Sequence, residues 1–230
     1  MSRNLAIITA RGGSKRIPHK NIKSFVGKPI IAYSIEAALK SGAFDEVMVS
    51  TDDEEIARIA MEYGAGVPFM RSDANAGDYA STDDVIMEVL KAYEERGERF
   101  DCFCCIYPTA PFVTAERVRQ AMEMLDETDS VNPVVEFGYP PQRGMIINNN
   151  NCLERQYPEY ALVRSQDLQK IYHDAGQFYA CRTEAFLKEG TTDVKKLSPL
   201  ILSPLEVQDI DTIEDWEIAE IKYRRLHNED

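Results

Sequence analysis

The sequence predicts an α/β fold, a mostly parallel sheet flanked by helices, in a single domain over residues 1–230 with an inserted hairpin segment at 138–175. Three observations carry that expectation. A continuous apolar run at residues 5–9 has the composition of a strand buried on both faces. Short apolar runs then alternate with stretches of helical spacing, the pattern of strands and covering helices. The alternation stops after residue 137, where Pro140, Pro141, Pro158 and an asparagine run mark a segment of different character.

Taken in order, residues 10–29 are rich in glycine, lysine, arginine and proline and form a long loop. Residues 30–41 are helical, with Ile31, Ile35, Ala38 and Leu39 on one face. The second strand covers 46–51. Thr51-Asp52-Asp53 caps a helix that reaches about residue 63 and ends at Gly64. Residues 67–70 read as a short strand. Ser81 or Thr82 caps a helix that carries Val85, Val89 and Leu90. A strand over 103–107 is broken by Pro108-Thr109-Ala110-Pro111, and a helix at 115–125 and a strand at 131–137 follow. Within 138–160, Ile146-Ile147 and Cys152-Leu153 flank four asparagines, so a projecting β-hairpin with a polar turn is expected. Strands at 177–181 and 200–202 and a helix at 212–226 complete the chain.

A chain of 230 residues can bury a sizeable core, and 44% hydrophobic with 28% charged residues is ordinary for a soluble globular protein. The net charge of -13 argues against non-specific nucleic-acid binding. It leaves room for an anionic substrate in a local basic pocket. Cys102, Cys104, Cys105, Cys152 and Cys181 are odd in number and lack a C-x-x-C pair, so reduced core thiols of a cytoplasmic protein are expected rather than disulfides or zinc. The first apolar stretch ends at Arg11, too soon for a signal peptide, and no run approaches membrane-spanning length.

The informative segment is Ala10-Arg11-Gly12-Gly13-Ser14-Lys15-Arg16-Ile17-Pro18-His19-Lys20-Asn21, directly after the first strand. Arg11, Lys15, Arg16, Lys20, Lys23 and Lys28 fall within residues 11–28, and no acidic residue precedes Glu36. Ligands of α/β sheets bind at the carboxyl ends of strands. Gly12 and Gly13 let backbone N–H groups approach an anion, and the cations suit a polyphosphate. A merely solvated basic loop is the weaker reading, given the double glycine behind a buried strand. The segment matches neither G-x-x-x-x-G-K-[ST] nor G-x-G-x-x-G, so it is neither a P-loop nor a dinucleotide site.

This segment resembles the nucleotide-binding signature of the CMP-sialate synthetase family, and the resemblance continues along the chain. Gly27-Lys28-Pro29, Ser50-Thr51-Asp52-Asp53, Arg71 with Asp78 and Ser81-Thr82-Asp83, Pro108-Thr109-Ala110-Pro111, Arg164-Ser165-Gln166-Asp167-Leu168 and Asp209-Ile210-Asp211-Thr212 with Glu214-Asp215 are similar to the family's successive motifs in order. Two strings depart from sialate synthetases. Tyr107 stands where glutamine is usual, and Tyr172-His173-Asp174-Ala175-Gly176-Gln177-Phe178-Tyr179 replaces an N-G-A-x-Y-like string. Both are similar to the pseudaminic acid cytidylyltransferases.

The resemblance implies a nucleotide-diphospho-sugar transferase fold, a homodimer that exchanges its inserted segment, and transfer of CMP from CTP to an acidic nine-carbon sugar. It implies that Arg11, Ser14 and Lys15 hold the triphosphate and that Lys20 meets charge developing in the transfer. Asn21 fixes the loop or contacts the nucleotide. Arg71, Ser81 and the Ala10 backbone lie near cytosine and ribose, although capping alone is an equal reading of Ser81 or Thr82. Arg164 and Gln166 border the sugar, with Arg164 on its carboxylate. His173, Asp174, Gln177, Tyr179 and Tyr107 meet its hydroxyl and N-acyl groups, and interface packing is the other reading of these positions.

Asp209 and Asp211, two apart, face the same way on extended backbone and are expected to hold Mg²⁺ with substrate phosphates. Capping of the last helix by Asp211 or Thr212, with Asp215, is the alternative there. His19 and His227 are expected at the surface. Other functions remain open at this point: a sialic or legionaminic acid cytidylyltransferase, a non-catalytic nucleotide-sugar sensor, or a glycosyltransferase of related fold. A sensor predicts erosion of the basic loop or the acidic pair. A glycosyltransferase predicts its D-x-D after an internal strand.

Overall fold

The computed structural model describes residues 3–77 and 79–228. Met1, Ser2, Asp78, Glu229 and Asp230 lie outside that range, and with Asp78 the expectation attached to it. Strand β1 (Asn4–Thr9) runs up the middle of the sheet, parallel to β2 (Glu46–Ser50) on one side and β3 (Cys102–Ile106) on the other. A strand paired on both edges and covered on both faces has no wet side, which is why residues 5–8 are uniformly apolar and fully buried.

Period-two alternation divides those side chains between two cores. Ala6 and Ile8 pack with Ile31 and Ile35 of helix α1 (Ile30–Ser41), Val47, Val49 and the face of a later helix that carries Val118 and Ala121. Leu5 and Ile7 pack on the other face with Ile86, Val89 and Tyr93, and with Phe103 and Phe186. Helices cover the sheet after β2. Asp53 caps α2 (Glu54–Glu62) through the Glu55 and Ile56 amides. Ser81, not Thr82, caps α3 (Thr82–Glu95) in a reciprocal box with Asp84. Helix α4 (Ala115–Met124) carries Val118.

Strand β4 (Ser130–Glu136) leads out to the projecting segment, where β5 (Met145–Ile147) pairs antiparallel with β6 (Leu153–Arg155) around the asparagine turn. The chain returns as β7 (Tyr172–Asp174) and β8 (Phe178–Arg182), followed by α5 (Thr183–Glu189), β9 (Leu197–Ile201) and α6 (Ile213–His227). The seven-stranded sheet has the order β9-β4-β8-β3-β1-β2, with β7 added on β4.

Two details differ from the sequence reading. Residues 67–70 are not a strand: pairing is limited to a bridge between Met48 and Gly66, and Pro68 has no N–H with which to extend it. The return strands run antiparallel, β8 to both β3 and β4 and β7 to β4, so the parallel order covers β2-β1-β3 and β4-β9. Between β7 and β8 the chain kinks at Ala175-Gly176-Gln177, with Gly176 at φ +62°. Cys102, Cys104, Cys105 and Cys181 are buried free thiols in β3 and β8, and Cys152 is exposed on the hairpin turn.

A third apolar cluster locks the basic loop in place. Ile17, Phe25, Ile30 and Tyr33 pack with Ile210 and with Trp216 of α6, and the Phe25 ring makes an edge contact with Trp216 at 5.5 Å. The segments before α1 and before α6 thereby form one apolar unit beside the carboxyl ends of β1 to β3.

Candidate active site

The carboxyl ends of β1, β2 and β3 open into a cavity of about 350 Å³, the position that α/β sheets use for ligands. Arg11, Ser14, Arg16, Lys20 and Asn21 supply its basic wall, Arg71, Asn75 and Gly77 a second wall, and Ser81 and Thr82 a third. Asp211 lies at its edge. A second cavity of about 350 Å³ adjoins it, and the two share Thr82 and Tyr107. Asp174, Tyr179, Asn132 and the loop residues Thr191, Thr192 and Asp193 line that second space.

The basic loop is held from within. Buried Asn21 donates its amide to the Arg11 carbonyl at 2.8 Å, which fixes the turn that aims Arg11 inward. Arg11 donates through Nη1 to the Gly77 carbonyl at 3.1 Å and so bridges two walls. The Gly12 N–H is already donated to Asp52 Oδ1 at 2.9 Å, and a Cβ on Gly12 would lie 2.7 Å from Asp53 Oδ2. Close approach to the start of α2 therefore requires glycine at position 12, and in this state the amide serves a carboxylate of the protein. Gly13 has no such neighbour. Lys15 is exposed and does not line either cavity, and Ala10 is fully buried with its N–H donated to the Ser50 carbonyl at 2.9 Å.

Arg71 is a buried strut, donating to Ser50 Oγ at 3.0 Å and to the Ser50 carbonyl at 2.6 Å. Burial lowers its pKa against the pull of Asp52 and Glu88. Lys20 donates Nζ to the Ile210 carbonyl at 2.7 Å and stands 3.6 Å from Asp211. Burial lowers its pKa, and the charges of Asp211 and Asp209 act in the opposite direction. Arg16 pairs with Asp211 at 2.9 Å.

Ile210 is fully buried between Asp209 and Asp211 and turns both carboxylates to the open side. Partial burial, and then the Asp211 charge, raises the Asp209 carboxyl above the usual aspartate range, with Lys20 pulling it back. The α6 cap is Thr212 with Asp215, so helix entry does not account for Asp211. Asp211 at the cavity edge and Asp209, outside its lining, are hard-oxygen groups of the kind that hold Mg²⁺, which takes one or two carboxylates together with phosphates.

In the second cavity Tyr107 and Tyr179 meet edge to face at 5.5 Å, and Tyr179 donates its hydroxyl to Asp174 Oδ2 at 2.9 Å. Burial and neighbouring acidic groups raise both phenols, so they stay protonated as donors. The Gly176 kink makes this possible, since its N–H is donated to Asp174 Oδ1 at 2.6 Å and turns the aspartate toward Tyr179. The same glycine lies against Asp209.

The remaining expected sugar contacts are placed elsewhere. Gln177 is only 2% exposed and donates its amide to the Glu206 carbonyl at 2.6 Å, so it braces the segment before α6 and lines neither cavity. Gln177, expected as a sugar contact, is thus placed as a brace behind the cavities. His173 is exposed, with Nδ1 2.7 Å from the Asp174 carbonyl and its ring against Phe137. Arg164 and Gln166 are exposed on the projecting segment, where Arg164 forks onto Asp167 at 2.7 and 3.2 Å. Arg16, Asn75, Thr109, Asn132 and the 191–193 loop were not assigned to the site from sequence. Arg16 carried a signal there as part of the basic run, and Thr109 as part of the Pro108-Thr109-Ala110-Pro111 string.

Residues 5–215 match the protein family described as Cytidylyltransferase. Among curated proteins, a pseudaminic acid cytidylyltransferase of Campylobacter jejuni is 44% identical over 227 residues, 98% of each chain. A CMP-N,N'-diacetyllegionaminic acid synthase of Legionella pneumophila is 34% identical over 235 residues, 99% of this chain and 98% of the relative. The solved structure of a CMP:2-keto-3-deoxy-manno-octonic acid synthetase complexed with CTP superposes with a TM-score of 0.70 at 18% identity, covering 98% of this chain and all of the other. That likeness shows a shared fold.

Proposed function

The chain belongs to the cytidylyltransferase family, and we propose that it transfers CMP from CTP to the anomeric hydroxyl of pseudaminic acid, releasing pyrophosphate. The observation that carries this reading is the pair of adjoining cavities that share Thr82 and Tyr107, one walled by Arg11, Arg16 and Lys20 and the other by phenols, hydroxyls and carboxylates. The first suits a triphosphate. The second suits a neutral polar body rich in hydroxyl and N–H donors. The 44% identity to pseudaminic acid cytidylyltransferase over nearly the whole of both chains favours that sugar over the legionaminic and neuraminic relatives.

The transfer asks for alignment and for charge stabilisation. Arg11 and Ser14 bind the phosphates in the first cavity, and Asn21 keeps Arg11 in register. Lys20 stands beside the bond that breaks, where negative charge grows on the leaving pyrophosphate. Lys15, at the loop surface, closes on the triphosphate when it enters. Arg71 and Ser81 border the nucleoside end. Tyr107 separates the two substrates, and Tyr179 and Asp174 orient the sugar. Asp209 and Asp211 would hold Mg²⁺, which when bound would neutralise part of the triphosphate charge.

Arg164 and Gln166 reach a sugar only in a second subunit. The segment that bears them exposes Met145, Ile147, Leu153 and Leu162, the last at 98%. Such an apolar surface fits a second copy of the chain, in a homodimer whose projecting segments complete each other's sugar site. No helix among the described residues is long and apolar enough to cross a membrane, and the reduced thiols fit an enzyme of the cytoplasm.

Pyrophosphate release measured with CTP and a panel of nonulosonates tests the reading. Release is expected only when both CTP and an acidic nine-carbon sugar are present. Release with no sugar, or none with any sugar, contradicts it.

A further inference from the structure

Helix α3 forms the wall between the two cavities, and two of its carboxylates reach the loops that enclose them, Glu88 from outside both cavities and Asp83 from the lining of the second. On one side, Glu88 accepts from the Ser72 N–H at 2.8 Å through Oε1. Its other oxygen, Oε2, accepts from the Ser72 hydroxyl at 2.8 Å and from the Asn75 side-chain amide. These bonds gather the loop that carries Arg71, Asn75 and Gly77 into the nucleotide cavity. Gly77 is also the residue whose carbonyl receives Arg11. On the other side, Asp83 Oδ1 accepts from both the N–H and the hydroxyl of Thr192 at 3.3 Å. That contact holds the loop after α5, which contributes Thr191, Thr192 and Asp193 to the second cavity. Positions 83 and 88 are about 140° apart around a helix of 3.6 residues per turn, so one rigid element sends one carboxylate to each loop.

Helix propensity explains neither residue. Ser81 and Asp84 already complete the N-terminal capping box. Among the described residues, Glu88 accepts hydrogen bonds from neutral groups of one loop, with the Arg71 charge nearby. Burial raises its carboxyl, yet the bonds from Ser72 and Asn75 bring it below the ordinary glutamate range. The carboxylate is therefore the form that the loop stabilises.

We propose that Glu88 and Asp83 are positioning residues with separate duties. Glu88 sets the loop that closes on the nucleotide, and Asp83 sets the loop that closes on the sugar. The inference rests on the cytidylyltransferase reading of the two cavities, and it assigns specificity control to residues outside the basic loop and the acidic pair.

Steady-state kinetics with each substrate varied in turn tests it, together with calorimetric titration of CTP in the absence of sugar. Glu88→Ala should raise KM for CTP, and its calorimetric Kd, by about three- to tenfold, the effect of losing one net hydrogen bond or slightly more. KM for the sugar should stay within twofold. Glu88→Gln, which keeps an acceptor for the Ser72 N–H, should fall between the two. Asp83→Ala should do the reverse, raising KM for the sugar by a similar factor with CTP binding unchanged. Asp83→Asn retains an acceptor for Thr192 and should recover most of the loss. Equal shifts in both KM values for either alanine variant, or no shift in either, overturn the proposal. If the wild-type chain turns over no sugar, the functional reading fails. The nucleotide half is still decided by calorimetry, where unchanged CTP affinity in Glu88→Ala contradicts it.

Discussion

At the scale of single residues, the site turns on how each charge is occupied before substrate arrives. Lys20 is tied to the Ile210 carbonyl and stands near Asp211, with its pKa lowered by burial. Under the proposed function it is fixed in advance of the charge that develops, which is the condition for electrostatic stabilisation without reorganisation. Lys20→Ala should lower kcat by about a hundredfold or more, and lower stability by no more than about 1 kcal/mol, the net worth of one hydrogen bond. Measuring kcat and the thermal midpoint on the same preparation separates the two effects; wild-type turnover contradicts the assignment.

The acidic pair can be separated from its neighbour in the same way. Thr212 caps α6 and Asp211 does not, so Thr212→Ala should cost about 0.5–2 kcal/mol of stability and leave the Mg²⁺ dependence of initial rates unchanged. Asp209→Asn and Asp211→Asn should each shift that dependence to higher Mg²⁺. An unshifted Mg²⁺ titration for both contradicts a metal role. Arg11, Ser14, Lys20, Asn21, Arg71 and Ser81, singled out from sequence, come together as walls of one cavity beside the strand ends. Gln177 lies in a string that matches a sugar-site motif, while its side chain is turned inward onto Glu206 beside a kink that no local pattern announces.

At the scale of elements, that kink places the second cavity. The antiparallel return of β7 and β8 was not legible, since an apolar run buried on both faces reads the same in either direction. The strand expected at 67–70 had the right residues but also Pro68, which ends pairing after Gly66. The projecting hairpin, by contrast, was legible from its prolines and asparagines. Gly176 at φ +62° turns Asp174 toward Tyr179, and a Cβ there meets nothing closer than 3.9 Å. Gly176→Ala should therefore cost about 1 kcal/mol through backbone strain alone. It should raise KM for the sugar more than KM for CTP. Denaturant unfolding and paired KM measurements check both parts, and a loss confined to CTP contradicts the role given to the kink.

At the scale of the whole molecule, the parallel core and the basic loop were legible, and the proposed pairing of inserted segments between subunits rests on the exposed Met145, Ile147, Leu153 and Leu162. Deleting the hairpin at 145–155 should give a monomer or an aggregate by light scattering, with activity lost; a well-folded, fully active monomer contradicts the shared site. Sugar choice is the central claim. Pseudaminic and N-acetylneuraminic acids share a carboxylate and differ in ring stereochemistry and tail groups. A cavity walled by Tyr107, Asp174 and Tyr179 leaves buried polar groups unpaired when those differ. The most direct test is the ratio of kcat/KM for the two sugars at saturating CTP. A ratio of about a hundred or more in favour of pseudaminic acid is predicted, and equal or better use of N-acetylneuraminic acid would contradict it.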